Sequence, residues 1–148
     1  MDYIDSTFLT DYATARNVDL TSHSADEIGA AIVQGCDYVD SLAPYMGAKT
    51  DPEQDREFPR TGMVINTYTY ADDVTPIAVQ KASAEATLHV LDGDDLLESQ
   101  TNGVTREKVD VIEIEYSENK SNSGTVTYPR IVSLLRPFRT AGKLRLAR

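Results

Sequence analysis

The sequence predicts a mainly α protein, a small helical bundle with a projecting β-hairpin and an extended basic C-terminal tail. Apolar residues recur at intervals of three and four along several segments, which is the period of an amphipathic helix. Residues 109–116 alternate apolar and acidic side chains, which is typical of a strand. After residue 118 the chain has seven basic side chains and no acidic one, which predicts the basic tail.

Two helices are predicted in the first third of the chain. Apolar spacing over residues 6–18 indicates a short amphipathic helix. Ser24 and Glu27 have the spacing of a capping box, in which each side chain bonds the backbone amide of the other residue. The second helix therefore begins after Ser24, and we expect it to end before Pro44 because a proline cannot continue a helix.

A third helix is predicted from Pro76 to Asp92. Thr75 would be its N-cap and Pro76 its first helical residue, and Gly93 would stop it. Small residues beside its main apolar face allow another helix to approach closely, so we expect it to pack against the second helix. The main face has Ile77, Lys81, Ala84, Leu88 and Leu91, and the small residues are Ala78, Ala82 and Ala86.

The remaining segments are shorter. Residues 45–62 read as an ordered loop because glycine and proline punctuate them, and residues 63–70 are rich in β-forming side chains. Residues 109–116 give the best strand pattern, with a change of phase at Ile112 that indicates a bulge or a change of buried face. A short helix over residues 131–135 precedes Pro137.

The charges divide the chain into two parts. Residues 1–118 carry 24 acidic and 7 basic groups, a charge of −17, whereas residues 119–148 carry +7, which leaves −10 overall. We therefore expect two parts, a helical body with a β element over residues 1–136 and a basic tail over residues 137–148. An acidic body is repelled by nucleic acid and by anionic membranes, so neither a general nucleic-acid binder nor a membrane protein is expected.

The protein is expected to be made in the cytoplasm. Its first 30 residues have no basic segment followed by an apolar one, so no secretory signal is predicted, and no apolar run approaches the ~20 residues of a membrane span. Cys36 is the single cysteine, which excludes an intrachain disulfide and fits a reducing compartment.

No catalytic, metal or cofactor site is predicted. His23 and His89 lack the spacing of a metal motif. The acidic run from Asp92 lacks the ligand and glycine positions of a calcium loop, so it reads as a helix stop with a solvated turn. The protein is expected not to be an enzyme, and a metal-dependent enzyme would require tight divalent-ion binding by the acids.

The basic end is the predicted partner-binding segment. It mixes cations with apolar side chains, which suits docking into an acidic groove on another protein better than following a phosphate backbone. A disordered, solubilising tail is the alternative reading. The predicted partner-binding residues are Arg136, Phe138, Arg139, Lys143, Leu144, Arg145, Leu146 and Arg148.

Residues 45–62 carry a motif of the form G-x-K-x-D-x-x-Q-x-x-x-F-P-R-x-G, from Gly47 to Gly62. It resembles a loop of adaptor, or head-completion, proteins from the head-tail connectors of tailed bacteriophages. Such proteins also have the D-Y-V-D-S segment found at residues 37–41 and an alanine-rich helix begun by a proline, as at residues 76–91. A G-V-x-x-x-K-V segment at residues 103–109 and a strand ending in Glu-Tyr follow in the same order.

The resemblance implies a structural virion protein of the phage neck. Its partners would be the portal protein, a stopper or tail-terminator protein and further copies of itself in a closed ring, a dodecamer in such proteins. The ring would line the passage for genomic DNA without sequence-specific binding, and the basic tail would reach the portal. Phe58, Pro59 and Arg60 would be loop anchors or subunit contacts, with Phe58 buried and Arg60 paired with an acid.

The tyrosine-rich insert over residues 63–75 departs from that family pattern and leaves the role of Thr67 to Tyr70 open, with a subunit contact or a loop facing the lumen as options. A different class of function also stays open, that of a single-stranded-DNA-binding accessory protein. A steep dependence of DNA affinity on salt would favour that alternative.

Overall fold

A computed structural model describes residues 1–96 and 128–140. In these residues the chain forms four α-helices and two small antiparallel hairpins, which agrees with a mainly α protein. The predicted strand at residues 109–116 and the tail beyond residue 140 lie outside the described part. The elements are α1 (Ser6–Thr14), α2 (Ala25–Ser41), β1 (Ala48–Lys49), β2 (Arg60–Thr61), β3 (Val64–Ile65), β4 (Tyr68–Thr69), α3 (Ile77–Leu91) and α4 (Pro129–Leu135).

Side-chain caps begin the first two helices. The Asp5 carboxylate accepts a hydrogen bond of 2.8 Å from the Phe8 amide at the start of α1. The capping box at Ser24 and Glu27 is present, so the predicted start of α2 is confirmed. Helix α1 ends at Thr14 rather than near residue 18, because Asn17 adopts a left-handed conformation (φ 58°) that turns the chain.

Helix α3 is the central element and contacts α1, α2 and α4. It lies closely along α2, as predicted, at Gly35, where a Cβ atom would stand 2.5 Å from the Thr87 hydroxyl oxygen. The predicted N-cap is wrong by one residue, since Pro76 itself is the extended residue before the helix (ψ 140°). The predicted face is also wrong in part, because Ile77 and Lys81 are exposed. The middle of α3 is instead buried on all sides, from Ala82 to Leu88.

The segment predicted as an ordered loop holds the hairpin of β1 and β2, in which Ala48 pairs with Thr61 and Lys49 with Arg60. Gly47 has φ 72°, and a Cβ atom there would meet the Thr61 carbonyl oxygen at 2.1 Å, so the start of this hairpin requires glycine. Inside the loop, the Gln54 side-chain amide donates to the carbonyl of Pro59 at 3.0 Å.

Residues 63–70 form the second hairpin, of β3 and β4, which agrees with their β-forming composition. Val64 pairs with Thr69 and Ile65 with Tyr68. The two turn residues, Asn66 and Thr67, are both left-handed, with φ 50° and 66°. Left-handed central residues match the right-handed twist of the strands, which keeps a two-residue hairpin closed.

The C-terminal part packs onto this framework. Helix α4 is present where a short helix was predicted and continues as a 3₁₀ turn from Arg136 to Phe138. Phe138 was predicted to bind a partner from the tail, but its ring is buried (3% exposed) because it fills the core beside Phe58. The Met46 amide donates to the Phe138 carbonyl at 2.8 Å. The chain therefore stays attached to the body through residue 140. No helix within residues 1–96 and 128–140 is long and apolar enough to cross a membrane.

Candidate functional site

A series of aromatic rings leads from the core to the surface. Phe58 is at its inner end, with its ring centroid 6.4 Å from that of Phe138. Phe138 is 5.7 Å from Tyr70, and Tyr70 is 5.1 Å from Tyr68, both in edge-to-face geometry. Phe58 is 2% exposed and Tyr68 is 65% exposed. We call Phe58, Phe138, Tyr70 and Tyr68 the ring series; it connects the hydrophobic core to an exposed aromatic side chain.

The register of the second hairpin explains why Tyr68 is exposed. The Tyr70 amide donates to the Met63 carbonyl at 3.0 Å, and Ile65 pairs with Tyr68, so these four residues lie on one face of the hairpin. Met63 is fully buried at the base, whereas Tyr68 is next to the turn. The face therefore leaves the core as it approaches the turn and carries Tyr68 into solvent.

Two arginines border the inner part of the ring series. Arg136 is exposed, and Arg139 is half-buried in a backbone bridge with Tyr45. Among the described residues neither guanidinium has a carboxylate within ion-pair distance. We call Arg136 and Arg139 the C-terminal cations. Together with Tyr68 they form the candidate site, which we call the C-terminal surface.

Several other cations in the described part of the body are held by acids. Arg56 contacts the carboxylates of three aspartates, Asp37 among them, with its Nη2 atom 2.5 Å from Asp2 and its Nη1 atom 3.0 Å from Asp40. Desolvation lowers the pKa of Arg56, but the hydrogen bonds that Arg56 donates to these carboxylates outweigh it and raise the pKa above its ordinary value. Tyr3 also donates to Asp40. This cluster joins the N-terminal segment, α2 and the loop before Phe58.

Arg60 holds the first hairpin together from within. Its guanidinium donates to the backbone carbonyls of Met46 at 2.8 Å and Gly47 at 2.9 Å, and it pairs with the Glu57 carboxylate at 2.7 Å. The structure thus places Arg60 against an acid of the same chain. Phe58 is buried, and Pro59 between them is half-buried after a cis peptide bond. These three residues act here as intrachain anchors of the loop.

A second charged cluster lies where α1, α3 and α4 meet. Glu85 is 7% exposed and accepts a hydrogen bond of 2.6 Å from the Tyr12 hydroxyl. Arg130 approaches the same carboxylate at 2.8 Å and Arg16 at 3.5 Å. Burial, together with the hydrogen bond to Glu85, raises the pKa of Tyr12 to about 12. Both arginines are therefore bound to the body of the protein.

An open groove of about 630 Å³ lies between the N-terminal segment, α1 and α2. Its floor is apolar, with Ile4, Phe8 and Ile32, and its rim carries Asp2 and Asp5. An acidic rim repels phosphates, so this groove is a poor site for a nucleic acid. Within the described part of the chain, no group of three or more histidine, cysteine, aspartate or glutamate side chains is placed to hold a metal ion.

The structure describes three of the predicted partner-binding residues, of which it exposes Arg136, half-buries Arg139 and buries Phe138. Lys143, Leu144, Arg145, Leu146 and Arg148 lie outside the described residues. Tyr68 was not among the residues predicted to bind a partner. The alternation Thr-Tyr-Thr-Tyr at residues 67–70 gave a signal for a strand, but the exposed member depends on the position of the turn, which the pattern alone does not fix.

The whole sequence was compared with known protein families, curated proteins and solved structures. The model of the family described as "Putative DnaT-like ssDNA binding protein" matches residues 2–148, nearly the whole chain. No curated protein and no solved structure matches significantly.

The predicted membership of the phage head-tail connector family is therefore wrong, because a different family matches the chain. The predicted neck-adaptor function depended on that membership and is wrong as well. The same is true of the predicted portal partner, stopper or tail-terminator partner, dodecameric ring and passage for genomic DNA. The virion location rested on the same resemblance and stays a prediction. The chain belongs to the DnaT-like family of proteins described as binding single-stranded DNA.

Proposed function

We propose that this protein binds single-stranded DNA as an accessory protein and acts by binding alone, without catalysis. The family description supports the class of ligand. One observation supports the proposed location of the binding site: among the described residues, Arg136 and Arg139 have no carboxylate partner. The arginines of the body differ, since Arg56, Arg60 and Arg130 each pair with a carboxylate. Cations free of internal pairs are the ones able to neutralise phosphates.

The sequence beyond Thr140 adds to this positive end. Residues 141–148 contain Lys143, Arg145 and Arg148 and no acid. With the C-terminal cations, five positive charges follow one another within a short stretch of chain. The strongly acidic body works against binding elsewhere, so the DNA contacts are confined to the C-terminal surface and the segment after it.

The test is a fluorescence-anisotropy titration of a labelled oligo(dT) strand at several salt concentrations. If five cations contact phosphates, log K falls with log salt with a slope of about −3.5, so that a roughly fourfold rise in salt weakens binding about 100-fold. A duplex of the same length should bind more weakly. Absence of binding at low salt would refute the proposal.

Two variants locate the contact. Deleting residues 141–148 removes three of the five cations and should reduce the slope to about −1.4. Lys81→Ala is the control, because Lys81 is an exposed cation of α3 outside the C-terminal surface and should leave the slope unchanged. Circular dichroism should show that the deletion leaves the fold intact, since it retains the described contacts that attach the chain to the body, up to the hydrogen bond of Thr140.

A further inference from the structure

We propose that Tyr68 is a base-stacking residue, so that the ring at the end of the β3–β4 hairpin receives an unpaired base while the C-terminal cations contact the neighbouring phosphates. This inference rests on the proposed function and names the residue that makes the protein's binding selective for single strands. Among the described aromatic side chains, Tyr68 alone is exposed, at 65%.

The ring is exposed but held in place. Tyr70 contacts it edge-to-face at 5.1 Å, and the cross-strand partner Ile65 lies beside it on the same face. Tyr70 in turn packs against the buried ring of Phe138. A ring already fixed by neighbours loses little conformational freedom when a base stacks on it, so more of the stacking free energy appears as affinity.

The tip of the hairpin contributes little to the core. Val64, on its other face, is 53% exposed. Thr67 is a β-branched residue at φ 66°, a conformation that such residues adopt only at a cost. The fold therefore maintains a projecting, partly strained turn that presents apolar and aromatic surface to solvent.

The charges around the hairpin indicate which part of a strand it contacts. Asp72 and Asp73 follow β4 and are exposed, so they repel phosphates from the hairpin itself. Arg136 and Arg139 flank Phe138, in the inner part of the ring series, and attract phosphates. If a base stacks on Tyr68 and its phosphates point toward the C-terminal cations, the phosphates avoid the two aspartates and reach the two arginines. Bases in a duplex are stacked on one another and offer no free face, so this arrangement selects single strands.

The affinity test compares three side chains at one position. Tyr68→Ala removes the ring and should weaken oligo(dT) binding by roughly 5- to 100-fold, the range for loss of one stacked base. Tyr68→Phe keeps the ring and should bind as the natural protein does. A strand of abasic sugar-phosphate units has no base to stack, so the natural protein and Tyr68→Ala should bind it equally.

A spectroscopic test reads the contact directly. The chain has no tryptophan, so Tyr68→Trp creates a protein with a single indole, whose fluorescence a stacked base should quench. Val33→Trp is the matched control, since Val33 is an exposed residue of α2 (43%) and its indole should keep its fluorescence when DNA binds.

The outcomes separate this inference from the proposed function. If the natural protein does not bind oligo(dT) at low salt, the proposed function fails. If it binds with the expected salt slope but Tyr68→Ala binds equally well, stacking is overturned and the proposed function stands. The same holds if Tyr68→Ala changes only self-association measured by sedimentation, which would make the hairpin a protein contact. Equal loss of affinity in Tyr68→Phe would also overturn stacking, because that variant retains the ring.

Discussion

Arg56 and Arg136 are separated by most of the chain and show two uses of the same side chain. Arg56 is surrounded by Asp2, Asp37 and Asp40, and only 11% of its side chain is exposed. Arg136 is exposed and has no acidic partner among the residues that the structure describes. The first arginine is committed to joining parts of the fold, whereas the second retains its charge for a ligand.

This difference changes the meaning of the net charge. A value of −10 suggests a protein that avoids nucleic acid. Five acids in the described part of the body, however, pair with its own lysines and arginines, among them Asp40 at Arg56 and Glu85 at Arg130. Among the described cations without a carboxylate partner, Arg136 and Arg139 lie next to the ring series, whereas Lys81 stands apart on α3. Local pairing, rather than net charge, therefore decides where an anionic ligand can bind.

The largest expected effect is that of Arg56→Ala on stability. The variant leaves three carboxylates close together without their common partner, one of them half-buried, so the free energy of unfolding should fall by about 3 kcal/mol. Urea unfolding followed by circular dichroism measures this. The folded variant should bind oligo(dT) as before, and a loss of affinity would show that the two arginines do not have separate roles.

The double variant Arg136→Ala with Arg139→Ala should have the opposite pattern, with weaker DNA binding and nearly unchanged stability. Neither side chain is in an ion pair within the described ranges, so the free energy of unfolding should change by less than about 0.5 kcal/mol. The salt slope of oligo(dT) binding should become less steep by about 1.4, and affinity at low salt should fall about tenfold. An unchanged slope in the anisotropy titration would place the phosphates elsewhere.

Tyr12→Phe tests the charged cluster at Glu85 with a smaller change than Arg56→Ala makes. It removes the hydrogen bond to Glu85 and should lower the free energy of unfolding by about 1 kcal/mol at neutral pH. Because the folded pKa of Tyr12 is raised to about 12 from 10.0, its stabilising effect is complete below pH 10 and is lost as the pH rises toward 12. Unfolding midpoints measured over that pH range should fall less steeply in Tyr12→Phe than in the natural protein.

Thr67→Gly should have the smallest effect and the opposite sign. Glycine adopts the left-handed conformation of residue 67 without strain, so the hairpin should become more stable by less than about 1 kcal/mol. Thermal unfolding measures the gain. DNA affinity should be unchanged, because the ring of Tyr68 keeps its position; a large loss would mean that the strained turn itself contacts the ligand.

Local signals in the sequence predicted much of the helical framework. The capping box at Ser24 and Glu27 and the stop at Gly93 depend on neighbouring residues only, and both are present. The packing of α3 against α2 was predicted from the alanines of α3, but the close approach at Gly35 is to Ser83 and Thr87 instead. The burial of Phe138 could not be predicted in this way, because it depends on Phe58 and Tyr70, which are distant in sequence.

The incorrect family assignment has a physical explanation in the motif loop of residues 47–62. Its motif residues make contacts within the chain, with Arg60 holding the carbonyls of Met46 and Gly47 and Phe58 filling the core. Such a motif reports the geometry of a loop rather than a partner. The site residue Tyr68 was not identified because both tyrosines of the hairpin fit a strand pattern, and only the turn at Asn66 and Thr67 determines which one is exposed.

The central claim is that single-stranded DNA lies along the C-terminal surface and reaches Tyr68. Photocrosslinking of oligonucleotides that contain iododeoxyuridine, followed by trypsin and mass spectrometry, tests it most directly. We predict crosslinks in peptide 61–81, which contains Tyr68, and loss of those crosslinks in Tyr68→Ala. Crosslinks confined to peptide 17–49, which contains α2 and its acidic side chains, would contradict the account.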